Sequence, residues 1–243
     1  MNLIIDIGNS RVKAALFDND VIIAHYVFLQ AELITKLDNI CMKYCVSNSI
    51  ISSVTAFSEI ELRKIDQLLR PLFLSTKTKL PFVNLYRTPK TLGLDRLALV
   101  AAAVKKYPKK NCLIIDVGTC ITYDFVNEKT SYLGGAISPG VQMRYKALNM
   151  YTSKLPLLKP NILSDFIGTD TQNSIHSGIV NGVCSEIKGF ISQYNTHFKD
   201  LTVVLTGGDT KFLEEQLKSI IFVEPNFVLE GLQTILIYNV AND

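Results

Sequence analysis

Apolar and polar positions follow two different periods along the chain, and the switches between them mark out its elements. Short β-branched runs bounded by Gly, Asn, Asp or Ser read as strands at residues 3–7, 12–17 and 21–28. A helical period covers residues 31–45, with Leu33, Ile34, Leu37, Ile40 and Cys41 on one face. Residues 49–53 return to a strand. Residues 58–69 form a helix opened by Ser58 with Glu61 three positions on, the spacing of a capping box. Pro71, Pro81 and Pro89 break the next stretch into an irregular connection, and residues 94–107 form an apolar helix stopped by Pro108.

The second half runs through the same order. Strands are predicted at 112–116, 121–126 and 131–136, then a helix after Gly140 and a Pro-punctuated loop over 154–167. A long helix at about 171–198, a strand at 201–206, a helix at 210–217, a strand at 220–223 and a helix near 228–240 complete it. The opening Leu3-Ile4-Ile5-Asp6-Ile7-Gly8 recurs as Leu113-Ile114-Ile115-Asp116-Val117-Gly118, an offset of 110 residues. Three strands, helix, strand, helix, twice over, predicts an α/β protein of two similar domains, residues 1–110 and 111–243.

Composition narrows the class. With 48% apolar and 19% charged residues and a mean hydropathy of +0.22, the chain is not disordered. Its net charge is only +3, and the lysines come in pairs, Lys105-Lys106 and Lys109-Lys110. These read as a solvated helix end and its loop, not the basic stripe that nucleic acid requires. Five cysteines without CxxC or zinc spacing read as free thiols of a reducing compartment. The longest uncharged apolar run, residues 97–104, is far short of the roughly 20 that span a bilayer. The N-terminus lacks a signal-peptide pattern. A soluble, cytoplasmic protein without membrane or nucleic-acid partners is expected.

Each repeat joins two strands through Asp-x-Gly and a small hydroxyl or amide residue: Asn9 and Ser10 in one copy, Thr119 in the other. Glycine at such a turn lets backbone approach a ligand, and the exposed amides can cradle phosphate oxygens. The aspartate cannot bind phosphate, but it can hold a cation that bridges to it. A plain Asp-Gly turn would carry no chemistry; two in register within a duplicated frame weigh against that. A third element, Thr206-Gly207-Gly208 after a strand, suits close approach to a nucleoside. Neither GxxxxGK[ST] nor GxGxxG occurs, which disfavours P-loop and Rossmann sites.

These motifs resemble those of the superfamily of acetate kinase, sugar kinases, heat-shock chaperones and actin. More closely, the chain resembles the type III pantothenate kinases. The matching segments are Asp6 through Lys13, Gly93-Leu94-Asp95-Arg96, Asp116-Val117-Gly118-Thr119 with Thr122 and Asp124, Gly134 through Gly140, Gly168-Thr169-Asp170-Thr171, and Thr206-Gly207-Gly208. Cys120 departs from the smaller residue, usually Ala, that the pattern carries after its second Asp-x-Gly-Thr.

The resemblance implies two ribonuclease H-like (actin-like ATPase) domains with a nucleotide cleft between them. It implies ATP-dependent phosphorylation of pantothenate to 4'-phosphopantothenate, the first step towards coenzyme A, in a homodimer. ATP phosphates would be held by Asp6, Ile7, Gly8, Asn9, Ser10, Arg11, Val12, Lys13 and Thr119, with magnesium organised near Asp6. Asp116 would serve a monovalent cation, potassium or ammonium. Pantothenate would meet Tyr86, Gly93, Leu94, Asp95 and Arg96, and Thr171 from the other domain or subunit, with Asp95 as general base.

The residues also admit simpler roles. Asp95 suits a helix N-terminus, Tyr86 an aromatic plug, Thr171 the N-cap of the long helix, and Asp124 a cation site or a strand end. Arg144 and Tyr145 read as exposed residues of the helix after Gly140, and the three histidines as structural or surface groups. Two other functions remain open: a nucleotide-binding accessory protein without kinase activity, and a kinase for another small alcohol.

Overall fold

A computed structural model describes residues 1–8, 11–162, 165–217 and 222–242. Its contacts divide it into two units. Unit 1 is Met1–Pro108, Thr130–Tyr132 and Asn226–Asp243; unit 2 is Lys109–Lys129 and Leu133–Pro225.

In unit 1, β1 (Asn2–Ile7), β2 (Val12–Asp18) and β3 (Val21–Phe28) run antiparallel in turn. Helix α1 (Leu33–Lys43) leads to β4 (Asn48–Ser53), parallel to β1, and α2 (Glu59–Leu69) leads to the two-residue β5 (Leu72–Phe73). The sheet order is β3-β2-β1-β4-β5. The predicted capping box forms: Ser58 Oγ accepts from Glu61 N at 3.3 Å and Glu61 Oε2 from Ser58 N at 2.8 Å. The helix predicted from residue 31 instead opens with a 3₁₀ turn at Gln30–Glu32, where Glu32 Oε2 accepts from Leu29 N at 3.0 Å.

Alternation along β1 decides what lies where. Leu3, Ile5 and Ile7 face a core made with Leu33, Leu37 and Ile40 of α1 and Ile65 of α2. Asn2, Ile4 and Asp6 share the other face, where Asn2 Nδ2 donates to Gln233 Oε1 at 3.1 Å. Gln233 belongs to α7 (Phe227–Val240), which packs against α3 (Leu94–Lys106). A Cβ on Gly231 would overlap the Ala98 carbonyl, so only glycine permits this approach. The sequence groups α7 with residues 111–243; by its contacts it lies in unit 1. The prolines' connection also holds β6 (Val83–Asn84), paired in parallel with Ser131 and Tyr132. Lys105 is ion-paired with Asp20, and Lys106 Nζ lies 3.6 Å from Glu230 Oε2, so this lysine pair at the end of α3 is more than a solvated one.

Unit 2 repeats the pattern with β7 (Cys112–Val117), β8 (Cys120–Val126), β9 (Ser131–Pro139), α4 (Val141–Met150), α5 (Thr171–His197), β10 (Thr202–Thr206), α6 (Thr210–Leu213) and β11 (Phe222–Val223). The strands follow the order β11-β10-β7-β8-β9, matching unit 1 position for position. Leu113, Ile115 and Val117 pack on Ile179, Val183 and Ile187 of α5. Among the described residues no helix is long and apolar enough to cross a membrane.

Candidate active site

The end of β1 carries Asp6. Its register neighbours are Lys13 on β2 and Ser52 on β4, and the Ser52 hydroxyl is hydrogen-bonded to its carboxylate. Ile7 and Val12 are core residues that fix the hairpin, while Gly8 N donates to the Arg11 carbonyl at 3.1 Å and Arg11 is exposed. Asn9 and Ser10 lie outside the described residues. Burial, and then the charge of Asp95, push the Asp6 carboxyl up to about 6 against the opposing pull of Lys13 and Ser52.

Asp95 comes from α3, which is N-capped by Gly93. Its Oδ1 accepts from Arg96 N at 2.8 Å, and a Cβ on Gly93 would overlap that same oxygen. The Gly-Leu-Asp-Arg sequence thus puts a carboxylate in the first helical turn and clears space behind it. Asp95 is a helix-start acid, as one of its two readings expects, and its charge acts on Asp6. Arg96 is buried, with Cζ 5.6 Å from the centre of the Tyr86 ring. Tyr86 stacks on Tyr132 at 6.1 Å and 14°, and Phe82 meets Tyr132 edge-on. Unit 1 therefore gathers Asp6, Asp95, Arg96 and Tyr86. Sequence reasoning missed Ser52 and Tyr132; both sit in ordinary strand runs that carry no local signal.

In unit 2, Asp116 occupies the place on β7 that Asp6 has on β1, flanked by Thr122 of β8 and Thr206 of β10. Gly118 N donates to the Cys120 carbonyl at 2.9 Å, leaving Thr119 exposed at the tip. Gly207 has φ +105°, and a Cβ there would overlap Asp116 Oδ1 and the Val117 carbonyl. A carboxylate oxygen and a carbonyl oxygen thus converge on the space that glycine leaves. Thr122 Oγ1 is also buried without a hydrogen-bond partner. This set of hard oxygens fits a monovalent cation. The Asp6 carboxylate likewise fits a divalent ion that shares its shell with phosphate. Among the described residues, no cluster of three or more His, Cys, Asp and Glu side chains forms a metal site.

Several residues sit differently from expectation. Asp170, not Thr171, caps α5, its Oδ1 accepting from Asn173 N at 2.9 Å; Thr171 is exposed in the first turn of α5. Asp124 is fully buried inside β8, not at a strand end. Tyr145 is buried and bonded to His176 Nδ1 at 2.7 Å, and Arg144 is half-buried in an ion pair with Glu186.

The sequence model of the family described as type III pantothenate kinase matches residues 2–193. A type III pantothenate kinase of Christiangramia forsetii is 49% identical over 243 residues, covering 98% of this chain and 99% of its own. That of Flavobacterium johnsoniae is 43% identical over 245 residues, covering 100% of both chains. Among solved structures, a Campylobacter jejuni protein provisionally described as a conserved Baf family transcriptional activator aligns with a TM-score of 0.67. Its identity is 19%, over 98% of this chain and 99% of its own. A glucokinase from an Antarctic psychrotroph aligns with a TM-score of 0.54 at 13% identity over 98% of each chain. At those identities the two structures establish the fold alone, that of the actin-like ATPases and sugar kinases. The length and identity of the sequence matches go further: the chain belongs to the type III pantothenate kinase family.

Proposed function

We propose that this chain transfers the γ-phosphoryl group of ATP to the primary hydroxyl of pantothenate, producing 4'-phosphopantothenate at the entry to coenzyme A synthesis. The family match supports the substrates. The observation that carries the chemistry is the meeting of Asp95 and Asp6 beside the Arg96–Tyr86 pair.

Phosphoryl transfer asks a protein mainly for positioning and charge neutralisation, with one base aligned on the attacking hydroxyl. Asp95 takes the hydroxyl proton as the oxygen bonds to phosphorus, when that proton is most acidic. The bond from the γ-phosphorus to the bridging oxygen breaks, and ADP leaves. Arg96, Gly93 and Leu94 contact pantothenate with Tyr86, whose ring is braced by Tyr132, and Thr171 contributes a further polar contact. Within unit 1 the phosphate-holding element is the hairpin from Asp6 to Lys13, and within unit 2 it is the Thr119 tip. Asp6 would hold magnesium together with ATP, and Asp116 with the Val117 carbonyl would hold potassium or ammonium. Bound there, such cations would supply charge neutralisation to the phosphates.

A homodimer and a cytoplasmic location are part of the same proposal. Exposed Ile137, Met150, Tyr151, Phe166 and Ile167 of unit 2 supply apolar surface of the kind an interface covers. All five cysteines are free thiols. The test is ADP release measured with pantothenate, with sugars as alternative acceptors, and in potassium against sodium. Release that requires pantothenate supports the proposal; ATP binding without turnover of any alcohol would favour an accessory role instead.

A further inference from the structure

The chemistry proposed above draws on the ends of β1 and β7 and the start of α3, and leaves one ionic cluster of unit 2 without a task. Glu186, on α5, accepts at Oε2 from Arg144 Nη2 at 2.5 Å, and at Oε1 from Ser138 Oγ at 2.5 Å and Tyr123 OH at 2.8 Å. Arg144, on α4, also donates from Nη2 to Ser138 Oγ at 3.0 Å and from Nε to the Pro139 carbonyl at 2.9 Å. Charge-assisted bonds of this kind are the strong ones, and both side chains are largely withdrawn from water. Burial pushes the Glu186 carboxyl up, but its three donors outweigh burial and hold it below the usual carboxylate range.

Much of this cluster is aimed at the last two residues of β9, Ser138 and Pro139, directly before Gly140. That glycine is in backbone contact with the second phosphate hairpin. Gly140 N donates to the Thr119 carbonyl at 3.2 Å, and a Cβ at 140 would overlap the carbonyls of both Gly118 and Thr119. A continuous path of hydrogen bonds and close packing therefore runs from Glu186 through Arg144 and Ser138 to the hairpin tip.

We propose that Arg144 and Glu186 are positioning residues for ATP: they lock residues 138–140 against Gly118 and Thr119, and so hold the hairpin tip in the geometry that receives the phosphates. This rests on the kinase proposal and adds to it two residues that touch neither substrate. A staple that merely joined α4 to α5 would need the ion pair alone. Here Arg144 and Ser138 spend their remaining donors on the turn and on the shared carboxylate.

The test combines hydrogen exchange over residues 116–122 with steady-state kinetics on the full chain. Arg144→Ala and Glu186→Ala should each speed exchange in that segment and raise KM for ATP by about tenfold, with KM for pantothenate changed less than twofold. Their effects should not add in the double variant. Glu186→Gln, which keeps acceptors for Ser138 and Tyr123, should recover part of the loss. It and Ser138→Ala serve if an alanine variant fails to fold. Wild-type exchange at 116–122, equal shifts in both KM values, or a lowered melting temperature alone would overturn the assignment. Wild-type protein that releases no ADP with pantothenate would remove the kinase proposal, while exchange at 116–122 would still decide the positioning role.

Discussion

Asp95 stands beside Asp6: the first turn of α3 brings one carboxylate to the end of β1, and its charge is second only to burial in pushing the Asp6 carboxyl up to about 6. Folding therefore favours protonated Asp6. At pH values below the ordinary 3.8 the group is neutral in folded and unfolded chains alike, and above about 6 it is ionised in both. Between those limits stability falls as pH rises, by on the order of 3 kcal/mol in total. Asp6→Asn cannot ionise. It should melt above wild type at pH near 7.5, lose most of that advantage at pH near 4.5, and show little kinase activity. Thermal melts across that range check this, and a melting difference that ignores pH would contradict the electrostatic strain.

Removing the proposed base separates chemistry from binding. Asp95→Asn should lower kcat by about 10²- to 10⁴-fold, while the affinity for ATP, measured by equilibrium binding, stays within about threefold. Turnover close to wild type would exclude Asp95 as the proton acceptor.

Gly207 offers a test of the oxygen-lined space beside Asp116. A methyl group at a φ of +105° is strained and overlaps Asp116 Oδ1 and the Val117 carbonyl. Gly207→Ala should cost about 1 kcal/mol or more of stability. It should also weaken or abolish activation by potassium, read from a titration of rate against the salt. Activation unchanged at wild-type potassium concentrations would remove the cation from this place.

Two glycines in helices should respond in opposite directions. Gly231→Ala overlaps Ala98 and is expected to destabilise by about 1–3 kcal/mol. Gly189, in α5, has nothing within 4 Å of an added Cβ, so Gly189→Ala should stabilise by up to about 1 kcal/mol. Denaturant unfolding of the two variants checks the contrast, which fails if both move the same way.

Sequence makes local features legible and hides those that need a distant partner. The strands around Asp6 and Asp116 were readable because a β-branched run ending in Asp-x-Gly is its own signal. Ser58 and Glu61 were readable because a capping box closes within four residues. β5 and β6 were not, since two residues cannot display a period. Thr171 and Asp170 are both good capping residues at adjacent positions, and only the helix's first hydrogen bonds choose between them. The ion pair of Arg144 with Glu186 joins groups 42 positions apart, and the Tyr86–Tyr132 stack depends on the pairing of β6 with β9.

The packing of α7 on α3 also sets an order of events during synthesis. Residues 1–108 leave the ribosome with the alanine-rich side of α3 and the Ile4 face of β1 still lacking their partner, and more than a hundred further residues are made before Gly231 and Gln233 arrive. The unit that carries Asp95 is thus begun first and finished last. Truncation within residues 227–240, or a fusion that disturbs them, would be felt first at the opposite end of the sequence, where Gln233 is bonded to Asn2.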